Sequence, residues 1–185
     1  TDQDDDLHYI TAATGQTEGW SGAEVQRRVP PNPDFDDVAT FNTNTAMGVL
    51  LDPVVDASEF FTDTTNVVRV QFYLDDEIDS ISQEQFLSEG NGFALEKEDG
   101  SWELMQFRDA VDEGDNVYAF SYLQRGRLNS GTEAHSAGRK FVLFDYLRKV
   151  PAVTGWLGVD LEHRGVSFTT SPESAPIQTE EYVGR

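Results

Sequence analysis

The chain has 185 residues, 38% of them hydrophobic and 11% aromatic, enough for one core or for two small β subdomains sharing an interface. Its formal net charge is −21, from 34 acidic and 13 basic residues, which argues against a phosphate-binding face and so against nucleic acid, and against anionic membranes. No cysteine is present, which removes a disulfide framework and thiolate metal ligation. No apolar run approaches the ~18 residues of a membrane span, so no membrane insertion is expected. The chain opens at Thr1 without a signal-peptide pattern and reads as a portion of a longer chain or a processed one.

Residues 1–18 form an acidic N-terminal segment or linker. Asp2, Asp4, Asp5 and Asp6 alternate oxygens as a calcium loop does, but the glycine and terminal glutamate of such a loop do not follow, so a solvated terminus is expected. After Trp20-Ser21-Gly22, residues Ala23 to Arg28 read as a strand. Pro30, Pro31 and Pro33 then enforce a loop. Val38 to Phe41 and Met47 to Leu51 read as a strand pair joined by polar Asn42 to Thr45. Glu59-Phe60-Phe61 is short and apolar, and Thr62 to Asn66 is a turn.

Val67 to Leu74 alternates Val68, Val70, Phe72 and Leu74 against Arg69 and Gln71, the period of a half-buried strand. Asp75, Asp76, Glu77 and Asp79 follow. Clustered carboxylates can serve glycoside hydrolysis as an acid/base pair, but consecutive charges after a strand are the mark of a solvated turn. Ser82 and Gln85 have capping-box spacing and start a short helix near 82–89, with Phe86 and Leu87 inward. Phe93 to Lys97 is the next strand, and Glu98 to Ser101 its hairpin turn.

Trp102 to Asp145 carries most of the core signal. Met105, Phe107 and Val111 share one parity, with Gln106 and Arg108 on the other. Asp112 to Asn116 makes a tight acidic turn. In the return strand, Asn116 to Leu123, residues Tyr118, Phe120 and Tyr122 share a face. The loop Gln124 to Glu133 holds two arginines and two glycines, and Lys140 to Tyr146 is a buried strand. Tyr146 to Val150 continues to Pro151. Trp156 to His163 and Gly165 to Thr170 read as two further strands, before a linker from Ser171 to Pro176. One helix among many strands indicates an all-β fold, an antiparallel β-sandwich-like domain or a close relative.

The candidate sites are few. Ser136 beside His135 is adjacency without the geometry of a triad. His135 and His163 are the residues a two-histidine metal site would use, and their spacing supports none, so no metal and no cofactor is expected. Arg125 and Arg127 can grip a carboxylate or phosphate bidentately. In so acidic a chain, Arg125–carboxylate pairing inside the protein, fixing the loop against the hairpin, is the expectation. Trp20, Trp102 and Trp156 offer aromatic faces, with Trp20 and Trp156 as the candidate glycan contacts.

Several runs share a pattern. Glu103, Gln106, Phe107, Arg108 and Ala110 lie in the first strand. Tyr118, Leu123, Arg125, Gly126 and Arg127 follow the hairpin. Gly131, Thr132, Glu133 and His135 come next, and Ala137, Gly138, Phe141, Val142, Leu143 and Asp145 close the pattern. This pattern resembles the C-terminal region of the large tail-tip, baseplate-hub proteins of tailed phages and of the gene transfer agents of α-proteobacteria. The resemblance covers residues 19 to 185 and is densest from Trp102 to Asp145. Leu128, Asn129 and Ser130 separate Arg127 from Gly131, where the family joins these runs more tightly, and Gln124 replaces a Leu or Arg.

The resemblance implies a non-enzymatic structural protein of a virion, placed at the tail tip or baseplate. Its partners would be other tail proteins and copies of itself in threefold assembly, with a host cell-surface glycan or receptor beyond. The alternative is a carbohydrate- or receptor-binding module of the tip. The implied division is 1–18 as above, 19–170 as the β domain, and 171–185 as an exit linker toward further tail domains. Only Lys97, Lys140 and Lys149 are lysines. An acidic, lysine-poor surface fits a marine or hypersaline host, where salt screens self-repulsion, or an ordinary acidic virion protein.

Overall fold

Alternation of apolar and polar side chains builds nearly every element of the computed structural model, which describes residues 7–88 and 90–183. The strands are antiparallel throughout and fall into two units, Thr45–Asp145 and Thr1–Asn44 with Tyr146–Arg185. The expected all-β class is present, and α1 (Gln83–Leu87) is the only α-helix among the described residues. The N-terminal aspartates and the final Gly184 and Arg185 lie outside the described residues.

The unit Thr45–Asp145 is a closed six-stranded barrel. Its strands are β4 (Met47–Leu50), β5 (Val68–Phe72), β6 (Gly92–Glu96), β7 (Trp102–Gly114), β8 (Val117–Gln124) and β9 (Lys140–Leu143). Around the barrel the order is β4-β5-β8-β7-β6-β9, and β9 closes on β4 with Met47 opposite Val142. The interior is filled rather than hollow, as a barrel of few strands requires. Phe107 stacks on Phe120 with ring centroids 4.2 Å apart, Phe93 on Phe141 at 4.9 Å, and Phe72 meets Phe141 edge-on at 5.5 Å. Such aromatic pairs add ~0.5–1.5 kcal/mol each beyond the area they bury.

The long hairpin β7–β8 departs from simple alternation. Glu103, Met105 and Phe107 point inward on β7, but further along it is Ala110 that packs on the core. On β8, Tyr118 and Phe120 are buried, and then Leu123 instead of Tyr122. Both strands switch parity at the same level, between the pairs Ala110–Phe120 and Phe107–Leu123. The cause is visible at Tyr122, whose φ is +58°, a left-handed backbone. Its ring leaves the core, lies 3.6 Å beneath the Arg108 guanidinium and meets Phe86 edge-on at 5.5 Å. Val111, expected inward, is exposed for the same reason.

Ser82 caps α1 as its spacing predicts. Its hydroxyl accepts from Gln85 N, and the Gln85 side chain accepts from Ser82 N at 2.9 Å. Phe86 is buried, but Leu87 is exposed, because one turn of helix can lay only one large residue against β7.

The other unit is an open sheet with a separate ribbon. The sheet runs β12 (Ile177–Tyr182), β11 (Val159–Ser167), β2 (Ala23–Arg28), β3 (Asp36–Phe41), and the ribbon pairs β1 (His8–Thr11) with β10 (Arg148–Pro151). Leu161, Ala152 and Tyr182 form a small core with Leu7, Tyr9, Val29 and Trp156 packed on it. Four expectations change here. The segments Val38–Phe41 and Met47–Leu51 do not pair, since β3 joins β2 in the sheet and β4 belongs to the barrel. The two strands expected at Trp156–His163 and Gly165–Thr170 are the single β11, which Gly165 does not interrupt. The segment 171–185, expected as a linker, supplies β12, whose partner β11 gives its backbone groups a full ladder. The acidic segment 1–18 likewise contributes β1.

Candidate functional site

Ions in a small barrel's interior lose several kcal/mol of hydration each unless they are paired, so their presence needs an account. Glu103 shares the inward parity of Met105 and Phe107 and is fully buried. Arg125, one residue past β8, meets it. Arg125 Nε donates to Glu103 Oε1 at 2.6 Å and Nη2 donates to Oε2 at 2.9 Å, a bidentate fork. The remaining guanidinium donors reach Val55 O at 3.1 Å and Glu133 O at 2.8 Å, and Asp63 Oδ2 stands 3.6 Å from Nη1.

Glu103 also accepts from Gly126 N at 3.1 Å and from His135 Nε2 at 2.7 Å. The other ring nitrogen of His135 lies 2.9 Å from Glu96 O. Both ring nitrogens of His135 thus lie at hydrogen-bond distance from oxygens of the barrel. Asp63, Glu103, Arg125 and His135 are all buried, and Arg125 and Glu103 link them into one set.

The electrostatics agree with this arrangement. Burial by itself would raise the Glu103 carboxyl, but the hydrogen bonds and charges of His135 and Arg125 outweigh it and hold it below its ordinary value. Asp63 is likewise held down against burial, by Asn66 and Thr65 hydrogen bonds and by the Arg125 charge. Its Oδ1 accepts from Thr65 N and Asn66 N, both at 3.0 Å.

The backbone is stitched around the same set. Val54 and His135 exchange two hydrogen bonds, and Asp63 and Leu123 exchange two more. Gly126 has φ +59°, and a Cβ there would come within 3.0 Å of Glu59 Cβ and Thr132 Cγ2, which explains a glycine beside the arginine.

A family model described as Rcc01698-like, C-terminal, matches residues 45–142. The chain belongs to this family. The match opens with the barrel unit and ends inside β9, so the Rcc01698-like C-terminal family corresponds here to the barrel. No curated protein matches the chain.

Within the Rcc01698-like barrel the motif residues separate into three groups. Glu103, Arg125, Gly126 and the Glu133 backbone build the buried node. Gln106, Phe107 and Arg108 hold the wall: the Gln106 amide donates to Gly90 O at 3.1 Å, Phe107 is core, and Arg108 bridges Asp109 at 2.7 Å. Gly131 and Thr132 line a surface cavity of about 490 Å³ with Asp56 to Phe60, and no node residue lines it. Arg127 stands half-buried in the turn that follows. The node side chains are buried and bonded to one another and to the backbone of the loops around them.

Apart from His135, the other candidates are not part of the node. His135 and His163 belong to different units, and no group of three metal-ligating side chains occurs among the described residues. The His163 ring is 3.1 Å from the Tyr9 hydroxyl, and burial, with the Arg27 charge, lowers its pKa. Trp20 is half-buried, and the Arg27 guanidinium covers the Trp156 ring at 4.2 Å. Of the acidic run, Glu77 and Asp79 line an open cavity with Asp112 and Tyr118. Ser136 is exposed while His135 is buried in the node. Sequence reasoning missed Asp63, Glu96 and the role of His135. The parity of Glu103 with Met105 and Phe107 was the available signal that a carboxylate faces inward.

Proposed function

We propose that this chain is a structural component of the tail tip or baseplate hub of a tailed virus or gene transfer agent, connecting tail and receptor-facing domains for host attachment. The observation that carries the proposal is the use of the tail-tip motif residues. Glu103, Arg125 and Gly126 serve a buried, hydrogen-bonded node inside a filled barrel. A barrel has no free sheet edge, and its loops are fixed by buried ion pairs, so it suits a stiff module held in register by neighbours. Its partners on this reading are other tail proteins and further copies of the chain around the tail axis, and its place is the virion. A sugar platform on Trp156 would have to displace Arg27 from the ring, which favours the structural reading over the glycan-binding one.

Immunogold labelling of purified particles with an antibody against this chain tests the proposal. Label confined to the tail end is the expected result. Label on the capsid, or on neither intact nor opened particles, would sink it.

A further inference from the structure

Two loops of the barrel present large apolar side chains to water. Phe60 is 80% exposed, Phe61 75% and Leu128 82%. Single exposed hydrophobics are ordinary, but these three come from segments that also share a cavity, since Phe60 lines it opposite Gly131 and Thr132. The loops are pinned. Gln124 Nε2 donates to Glu59 O at 2.9 Å, and Arg125 Nη1 donates to Val55 O at 3.1 Å. Ser130 Oγ accepts from Leu104 N at 2.9 Å, and Lys97 Nζ donates to Ser130 O. Leu128 holds φ +52°, an unfavourable left-handed backbone for a branched apolar residue. A surface fixed in advance loses little further freedom when it is covered.

We propose that this end of the barrel is a docking surface for a segment of another protein that carries a Lys or Arg flanked by apolar residues. The basic side chain enters the cavity of about 490 Å³, whose lining residues include Asp56, Glu59 and Phe60 and no Lys or Arg, the Lys97 ammonium beside Gly131 being held by Ser130 O. Carboxylates and an aromatic face together favour an ammonium or guanidinium group. Phe60, Phe61 and Leu128 then cover the apolar flanks. A second copy is a poor occupant, because it brings the same acidic lining and the same net charge of −21. The inference rests on the loops alone and stands whether or not the chain sits in a tail tip.

The test uses two labelled synthetic peptides, one of alternating Leu and Lys and one of alternating Leu and Glu, titrated with the whole chain by fluorescence anisotropy. The expected result is saturable one-site binding of the Leu–Lys peptide and none of the Leu–Glu peptide. The variant F60S/F61S keeps every charge and is expected to weaken binding at least ~10-fold. The variant D56N/E59Q keeps the apolar surface and is expected to weaken binding and flatten its salt dependence. Circular dichroism melts of both variants matching the wild type show that the fold is intact. Undiminished affinity in F60S/F61S would mean diffuse attraction to an acidic chain and would overturn the proposal. Absence of saturable Leu–Lys binding would overturn it too. So would self-association, or binding to phosphatidylcholine vesicles, that F60S/F61S abolishes, since the surface would then serve a second copy or a lipid layer.

Discussion

In the barrel, Asp63, Glu103, Arg125 and His135 each have a charged partner within the set. In the open-sheet unit, the Arg27 Nε and the Tyr182 hydroxyl are buried without a hydrogen-bond partner. The barrel has no sheet edges, whereas the open sheet ends in β3 and β12. Those edges carry Asp36 and Asp37 on one side and Glu180 and Glu181 on the other, and like charges along an edge discourage strand addition by another chain. Closure removes the free edges from the barrel, and the family match falls on it.

One substitution made in both units exposes this difference most strongly. Arg125→Met removes the cation from the node and leaves Glu103 and Asp63 buried together. Breaking one partner of a buried pair costs about 3–5 kcal/mol. The expected outcome is a large fall in the denaturant midpoint of the barrel, followed by Trp102 fluorescence in a Trp20→Phe, Trp156→Phe background. A midpoint unchanged within error would show that the node adds nothing to the barrel's stability.

Acid is the next lever, with a smaller effect. The folded-state pKa of Glu103 lies below its ordinary value of 4.5, and that of Asp63 below 3.8. A depressed carboxyl stabilises the fold above its unfolded pKa, and that stability is lost as pH falls through the folded value. The barrel is therefore expected to be more stable than its Glu103→Gln variant at neutral pH. The gap should close as pH falls below 4.5 and on through the folded value. Urea midpoints of the two proteins measured from neutral pH downward check this, and a gap that stayed constant would contradict an ionised Glu103 in the node.

Much of the fold is legible in the sequence where two-residue alternation is clean, as in Val68–Val70–Phe72, or where a cap has its full pattern, as in Ser82 and Gln85. It is illegible where the backbone itself changes the period. Nothing in the side chain of Tyr122 announces a φ of +58°, so the shift of the inward face from Phe120 to Leu123 needs the structure. The pairing of β3 with β2 rather than β4 is a topological choice that local pattern does not encode. Of the node, the Arg125–carboxylate pairing could be anticipated from charge balance. Asp63 and His135 could not, since they come from turns that reach the node through isolated long-range bridges, Asp63 with Leu123 and His135 with Val54.

Arg27→Met in the open-sheet unit gives the smallest effect and the sharpest contrast. Loss of the cation over Trp156 removes about 0.5–2 kcal/mol. The same change removes a buried, unpartnered Nε, whose relief returns about 1–3 kcal/mol. The Arg27 hydrogen bond to Tyr9 is lost as well, so the opposing terms largely offset and the net change stays under about 3 kcal/mol, against the larger loss from the same substitution at Arg125. Trp156 fluorescence, with Trp20 and Trp102 replaced by Phe, reads the unfolding. A second readout separates charge from packing. His163 is lowered first by burial and then by the Arg27 charge, so Arg27→Met should move its titration upward, toward 6.5 but short of it. An NMR titration of the His163 ring protons that showed no upward movement would mean that burial alone sets its charge.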